Sequence, residues 1–173
     1  VEKNNKKKFD FSFVNEKNKP FKSHFFSTIN KKINFFNFDE SDLNLKIEQT
    51  TNDSYLKTYK LKSPIINYET NVLTTSLSLN AYKEDLTFNS EFTAYENLDN
   101  INNRYEFIYP KYDFVKKFDI PNLNGDLSLN SNGYLKNYNT NIFEKVVVND
   151  FLYSSAPHFT SQGLKNDYKI LIK

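Results

Sequence analysis

Apolar and polar residues alternate through most of this 173-residue chain, and this alternation constrains the fold more than any other feature. Successive side chains of a β-strand point to opposite faces, so a period of two predicts strands with one apolar and one polar face. The period is unbroken in VLTTSLSLNAY. One face of this segment carries Leu73, Thr75, Leu77, Leu79 and Ala81, and the other carries Thr74, Ser76, Ser78 and Asn80.

Other segments show the same period. Their in-phase residues are Phe9, Phe11 and Phe13; Leu43, Leu45 and Ile47; Leu86, Phe88, Ser90, Phe92 and Ala94; Leu127 and Leu129; and Tyr168, Ile170 and Ile172. We expect about nine to eleven strands of roughly 8 to 12 residues, joined mostly by short loops. No helical period competes with them, and residues 52–82 are expected to form one antiparallel hairpin. The sequence therefore predicts an all-β chain, an antiparallel up-and-down meander in a single domain covering residues 1–173.

Composition supports the all-β prediction and excludes several functions. Aromatic residues make up 17% of the chain and suit a pleated surface, whereas glycine and proline number only three and five, so Asn and Asp are expected at the turns. A net charge of +2 gives no overall field to attract nucleic acid. The absence of cysteine excludes disulfides and thiolate chemistry.

Motifs for catalysis, metal binding or cofactor binding are not found in the sequence. His24 and His158 are far apart and are expected to be ordinary surface or strand histidines, and the acidic residues near Asp39 are expected to form a turn. The zinc, nucleotide-binding and nucleophile-elbow motifs have no match. We therefore predict no catalytic residues, no metal, no cofactor and no enzymatic activity.

Strand length allows two environments for the sheet. The expected strands are longer than the five to six residues usual in globular proteins and match the 9–11 residues of a transmembrane strand. A polar face suits either a hydrated lumen or the solvent side of a soluble sheet. The aromatic cluster in HFFSTINKKINFFNF contains Phe25, Phe26, Phe35, Phe36 and Phe38. It allows an aromatic girdle at a membrane interface, a nucleic-acid stacking platform or a core-packing hairpin.

Four weak motifs, in order, resemble the β-barrel of the LPS-assembly outer-membrane protein family (LptD, also called OstA or Imp). The first is NDSYLKTYKL, expected as a strand, where the matching residues are Asp53, Tyr55, Leu56, Lys57 and Tyr59. Leu73 and Ser76, followed by Tyr95 and Leu98, match the next two strands. YEFIYPKY supplies Pro110, and GDLSLNSN supplies Gly125. The resemblance covers about residues 38–150.

The resemblance implies a function in transport. The family inserts lipopolysaccharide into the outer leaflet of the outer membrane without making or breaking a bond. Its partners would be lipopolysaccharide, outer-membrane lipids, a lipoprotein inside the barrel and periplasmic bridge proteins. Only one glycine opens the Gly125 strand where the family has a pair, and the cysteines, jellyroll domain and gate strands of the family are not matched. No gate residue is therefore carried over.

We interpret the chain as part of a transmembrane β-barrel of the cell outer membrane. Because the chain begins at Val1 and ends within a strand pattern, we expect an internal piece of a longer protein, seen as an open, curved sheet or completed by further strands. The alternatives are a soluble periplasmic or secreted β-sheet binding module and a porin-like channel of another family. An apolar outer face would favour the barrel, whereas burial of both faces would favour the soluble module.

Overall fold

The computed structural model describes residues 5–138 and 141–173, and nearly all of its secondary structure is β. The elements, in chain order, are β1 (Lys6–Val14), β2 (Lys22–Lys32), β3 (Glu40–Thr50), α1 (Tyr55–Tyr59), β4 (Val72–Lys83), β5 (Leu86–Asn97), β6 (Tyr105–Phe118), β7 (Gly125–Tyr138), β8 (Ile142–Ser155), β9 (His158–Phe159), β10 (Lys165–Asn166) and β11 (Lys169–Ile172). Nine strands form one open sheet in the order β1-β2-β3-β4-β5-β6-β7-β8-β11, and β9 pairs with β10. Every neighbouring pair is antiparallel, so the predicted all-β meander is confirmed.

The loops of the sheet define two rims. We call the rim with loops 33–39, 84–85 and 119–124 the turn rim, and the rim with loops 15–21, 51–71 and 98–104 the cap rim. Asn18, Asn103 and Asn122 in these loops have positive φ angles, which Asn tolerates better than most residues. The expectation that asparagine replaces glycine at turns is therefore confirmed at these three positions.

The pairing register separates the side chains into two faces of opposite character. Directly paired residues share a face, so each register fixes the faces of the next strand. We define the apolar face by the following strand residues: Phe9, Phe11, Phe13, Phe25, Ile29, Leu43, Leu45, Ile47, Leu77, Leu79, Phe88, Phe92, Phe107, Phe114, Leu127, Leu129, Val147 and Phe151. The polar face carries Asn30, Asp42, Asn44, Lys46, Thr74, Ser76, Ser78, Asn80, Asn89, Glu91, Asp113, Asn130 and Asn132. The phases predicted from sequence for β1, β3, β4, β5 and β7 are confirmed.

Charged residues on the apolar side of the sheet lie only near its rims. Within the described strands they are Lys7, Lys31, Lys83 and Lys116 toward the turn rim, and Glu96 and Lys145 toward the cap rim. The uncharged belt between them measures about nine residues in a strand such as β4, or roughly 30 Å at about 3.3 Å per residue. Much of this belt is solvent-accessible, with Phe11 61% and Phe92 48% exposed.

A bulge in β6 keeps this separation intact. Glu91 pairs with Lys111, but Thr93 pairs with Ile108, so β6 contains one extra residue at Tyr109–Pro110. The same bulge recurs against β7. Pro110 has no N–H to donate to a ladder, and a bulge is where an interior strand tolerates it. Without the extra residue, the β6 residues before the bulge would move to the opposite face.

Rows of directly paired residues cross the sheet obliquely. One row begins at Lys7, the second residue of β1, and reaches Leu77 near the middle of β4. Another begins at Lys83, the last residue of β4, and reaches Leu129 inside β7. The strands are therefore tilted relative to the rims, which is the stagger that strands have when a sheet closes into a barrel.

One part of the sequence prediction is wrong. Residues 52–82 were expected to form a hairpin, but only β4 is a strand, and NDSYLKTYKL forms a turn and the one-turn helix α1. Tyr55 and Tyr59 fit both periods, because residues at i and i+4 share a face in a strand and in a helix. In the structure their rings meet edge to face within the helix, with centroids 5.3 Å apart. Lys60 ends the helix with a left-handed φ of 44°.

Gly133 provides a test of the β6–β7–β8 packing. It lies directly opposite Tyr112, and a Cβ atom built at Gly133 would be 2.5 Å from the carbonyl oxygen of Val146 and 2.9 Å from Cε1 of Tyr112. We expect Gly133→Ala to lower the free energy of unfolding by about 1–3 kcal/mol, because strand β8 and the Tyr112 ring must both shift. Denaturant titration of the folded protein measures this loss. Ser128→Ala, elsewhere in β7, is the control. An equal effect of the two substitutions would contradict the prediction.

Candidate functional site

Hydrogen bonds connect amide and carboxylate side chains across the polar face. The Asp42 Oδ2 atom accepts from Asn44 at 2.6 Å and from Asn80 at 3.0 Å, and Asn44 in turn accepts from Asn30. These bonds link β2, β3 and β4 in one network. Because the network holds its own donors and acceptors in place, the face presents an ordered polar surface rather than mobile side chains.

A shallow polar cleft of about 170 Å³ continues this surface across β4, β5 and β6. Its lining includes Ser78, Asn80, Glu91, Lys111 and Asp113. Hydroxyl, amide, carboxylate and ammonium groups lie together, so the surface can hydrogen-bond water, sugar hydroxyls and charged groups of either sign. This mixed chemistry suits passage of a polar molecule better than tight selection of one charge.

Residues 51–71, which we call the cap, cover one end of the polar face at the cap rim. The Asn52 side chain accepts a hydrogen bond from the backbone N–H of Ser54, and this turn leads into α1. The N–H of Leu61 donates to the Leu56 carbonyl at 3.2 Å and closes the end of the helix. Local turn chemistry thus folds the cap back toward the sheet.

The main apolar core of the described residues lies under the cap. Tyr55 and Leu56 from α1 are buried against Phe26 of β2, Leu73 of β4 and Leu98 after β5. Four residues of the family-like motifs, Tyr55, Leu56, Leu73 and Leu98, therefore meet in one cluster. Tyr59 packs against its edge and donates a hydrogen bond to Glu16, which raises the pKa of Tyr59. Tyr95 lies on the polar face nearby and lines the cleft described next.

A cleft of about 500 Å³ opens at the cap-rim end of the sheet, where β3 and β4 separate. Its lining includes Phe11, Phe25 and Phe107 of the apolar face as well as Glu48 and Tyr95 of the polar face. Their direct pairing ends at Lys46–Ser76, and beyond it the Glu48 carboxylate accepts a hydrogen bond from the Thr74 N–H at 2.7 Å. Glu48 is only 4% exposed and is paired with Lys46 at 2.8 Å. Where β3 and β4 separate, the buried Glu48 carboxylate thus accepts the backbone hydrogen bond that a neighbouring strand would otherwise accept.

Arg104 fastens the cap to the neighbouring loop. Its guanidinium donates one hydrogen bond to Asp53 of the cap at 2.5 Å and another to Glu96 of β5 at 2.8 Å. This contact lowers the pKa of the Asp53 carboxyl below its ordinary value, chiefly through the hydrogen bond from Arg104. Lys57 adds a more exposed ion pair with Asp99 at 3.4 Å. Asp53 and Lys57 were predicted to lie in a strand. In the structure, each forms an ion pair that holds the cap to loop 98–104.

A buried polar row runs beneath the cap. Ser12 Oγ lies 3.2 Å from His24 Nδ1 and 3.0 Å from the Tyr55 hydroxyl, and Asp10 Oδ1 lies 3.4 Å from His24 Nε2. A hydroxyl, an imidazole and a carboxylate in this order also occur in enzymes in which the imidazole activates the hydroxyl as a nucleophile. Here, however, the Ser12 hydroxyl is occupied by Tyr55 and covered by the cap. We therefore assign the row to holding the cap in place.

Sequence reasoning missed His24 and Arg104. His24 lies in a strand, as expected of an ordinary histidine, but it is buried and stacks on Phe26 with ring centroids 4.4 Å apart. His158 lies in β9 and is exposed. Arg104 is the only arginine in a chain of 22 lysines. Arginine is preferred where one cation must hold two carboxylates in fixed geometry. A single arginine among many lysines was therefore the feature of the sequence that could have indicated such a site.

The remaining family-like residues lie away from the cap. Ser76 is on the polar face, and Pro110 is in the β6 bulge after a cis peptide bond. Gly125 opens β7 with φ of 149°, and a Cβ atom there would be 2.3 Å from the Ser154 carbonyl oxygen. This close approach explains the glycine. The sequence motifs therefore mark both the cap and separate points of strand geometry.

The predicted aromatic cluster divides among three places. Phe25 lies on the apolar face, Phe26 is buried under the cap, and Phe35, Phe36 and Phe38 pack together in the β2–β3 loop. Phe36 is 86% exposed at the turn rim. The core-packing alternative therefore holds for Phe26 alone, and the five residues form no single stacking platform.

Two features are absent from the part of the chain that the structure describes. No group of three or more His, Asp or Glu side chains lies where it could hold a metal ion. In that same part of the chain, no helix has the length and hydropathy to cross a bilayer. The hydrogen-bond network, the polar cleft and the buried cluster under the cap define the candidate site, which is the polar face with its cap.

The Asp53–Arg104 pair makes the cap sensitive to acid. Because the folded pKa of Asp53 is lowered, its stabilisation is present above the ordinary value of 3.8 and is lost as pH falls through the folded pKa. We expect Asp53→Asn to reduce hydrogen-exchange protection of the α1 amides at neutral pH by less than about 1 kcal/mol, since Asp53 is half-exposed. The difference from the unmodified protein should vanish in acid. Asp99→Asn, which removes the looser Lys57 pair, should change protection less, and equal protection of D53N and the unmodified protein at neutral pH would contradict the assignment.

Comparison of this chain with protein-family models, with curated proteins and with solved structures found no match. The likeness to LPS-assembly proteins thus rests on the motifs quoted from the sequence. What the chain does is therefore argued from its two faces and its cap.

Proposed function

We propose that this chain is part of the wall of a transmembrane β-barrel of the outer membrane, and that its polar face lines a conduit for lipopolysaccharide. One observation carries the membrane proposal. The sheet has an apolar, accessible face whose charges are confined to the rims, and an opposite face rich in hydroxyl, amide and charged groups.

The dimensions support this placement. Transmembrane strands need about 9–11 tilted residues, and barrels carry an apolar band about 25 Å tall. The belt of about nine residues, crossed by strands that are tilted relative to the rims, fits that band. In hydrocarbon every backbone polar group needs a partner. The antiparallel ladders provide partners for the interior strands up to the fork between β3 and β4, where the Glu48 carboxylate accepts from the Thr74 N–H instead.

The distribution of buried residues argues against a soluble sheet. The buried apolar residues of the described chain are Phe26, Tyr55, Leu56, Leu73, Ala81 and Leu98, most of them beneath the cap. The central belt has no such layer over it among the described elements, and Leu77 and Phe92 are 40% and 48% exposed. A soluble sheet would have to cover this face, whereas lipid covers it in a membrane.

Lipopolysaccharide as the cargo is supported by the sequence resemblance and by the chemistry of the polar face. Its head group combines sugar hydroxyls with phosphates. The polar face offers amides and hydroxyls for the former and lysines such as Lys46 and Lys111 for the latter, each close to a carboxylate that limits tight binding.

Adjacent residues on opposite faces test membrane insertion. Leu77→Arg places a charge in the middle of the apolar belt and should destabilise the lipid-inserted protein by about 2–4 kcal/mol. Ser78→Arg places the same charge on the polar face, directly opposite Glu91, and should have little effect. Denaturant titration in lipid vesicles measures both. A larger effect of S78R, or a stable soluble monomer in buffer without detergent, would contradict the membrane proposal.

A second pair of neighbours tests the cargo. A photo-crosslinking residue at position 80, in place of Asn80 on the polar face, should form adducts with lipopolysaccharide in cells assembling an outer membrane. The same residue in place of Leu79, on the apolar face, contacts membrane lipid, so its lipopolysaccharide adducts should appear only after delivery to the outer leaflet, later in a pulse-chase than those at position 80. Crosslinks at neither position, in a protein that inserts normally, would contradict lipopolysaccharide transport and favour a porin-like channel.

A further inference from the structure

The apolar side of the sheet ends in four lysines at the turn rim and in a single lysine at the cap rim. Lys7 and Lys31 lie near the turn-rim ends of β1 and β2, Lys83 is the last residue of β4, and Lys116 lies near the end of β6. Their places in the pairing register put all four on the side of the apolar face. The opposite rim of this face carries Glu96 and Lys145, so the two rims differ in charge.

Most of these lysines are not neutralised within the protein. Lys7, Lys31 and Lys83 are exposed and form no ion pair in the described part of the chain, whereas Lys116 pairs with Asp85 in the β4–β5 turn. Asp39, Glu84, Asp85 and Asp119 are the acidic residues of the turn-rim loops, and Asp85 also interacts electrostatically with Lys83. At the other rim, Glu96 is already bonded to Arg104 and to the Tyr105 hydroxyl. The turn rim therefore keeps free positive charge where the apolar belt ends.

We propose that these four lysines, the lysine row, bind the phosphates of anionic lipid headgroups and so fix which rim of the sheet faces an anionic leaflet. The inference rests on the proposed membrane insertion. A lysine at the edge of an apolar belt lays its aliphatic stem along the acyl region and its ammonium among the headgroups. Each such lysine attracts an anionic surface within a Debye length. Exposed Phe36 lies at the same rim, where aromatic residues anchor barrels.

Vesicle partitioning of the full-length protein tests this inference. The vesicles contain phosphatidylcholine alone or phosphatidylcholine mixed with phosphatidylglycerol, at equal ionic strength. We expect a preference of about 100-fold for the anionic vesicles, because each of the three lysines without an ion pair contributes roughly fivefold. The variant K7Q/K31Q/K83Q/K116Q should reduce the preference to within about threefold, and the corresponding Lys→Arg variant should keep it.

The opposite face of the same rim supplies a matched control. K6Q/K8Q/K32Q/K117Q removes the same number of charges from the polar side and should leave the preference unchanged. Equal loss in both variants would overturn the inference, because net charge alone would then explain it. Competition by inorganic phosphate beyond that of chloride at the same ionic strength would also overturn it in favour of a site for the free ion.

The failure of this inference can be told apart from failure of the proposed function. Insertion of the unmodified protein into both kinds of vesicle with equal affinity overturns the lysine row alone. Failure to insert into either kind overturns the membrane proposal and the lysine row with it.

Discussion

Backbone pairing register is the constraint on which the rest of the structure depends. A shift of one residue between any two strands would move all side chains of one strand to the other face. Eight ladders in this sheet keep the same phase, so most Phe, Leu and Ile side chains collect on one side and most Asn and Asp side chains on the other. The extra residue at Tyr109–Pro110 is consistent with this rule, since it returns Phe107 to the apolar side.

The cap is stabilised by a different kind of interaction. Its helix of five residues is too short to be stable by itself, since helix nucleation is costly. Tyr55 and Leu56 stabilise it by burial, while Arg104 and the polar row of Ser12 and His24 orient it. The result is a small conventional core at one end of a sheet whose centre has none, so local opening of the cap can occur without unfolding the strands.

Much of this arrangement was predictable from the sequence, and the exceptions have physical causes. The alternation of apolar and polar residues predicted the strands and their faces, because a period of two places successive side chains on opposite faces. The cap was not predictable, since the spacing of Tyr55 and Tyr59 fits both a helix and a strand. The local features that favour the helix are the Asn52 turn before it and the left-handed Lys60 after it. The partners of Arg104 were also beyond sequence reasoning, because Asp53 lies 51 positions away along the chain and meets Arg104 only through the meander.

The alternating strand directions have a consequence for closure. β1 and β11, the two edges, run the same way because nine strands alternate in direction between them. Joining those edges directly would create a parallel pair, so an all-antiparallel closed barrel requires an odd number of strands from elsewhere. β11 covers only Phe151–Ser154 of β8, which leaves the outer side of Ile142–Asp150 without a described partner. Any strand that pairs antiparallel with this part of β8 must run in the same direction as β11.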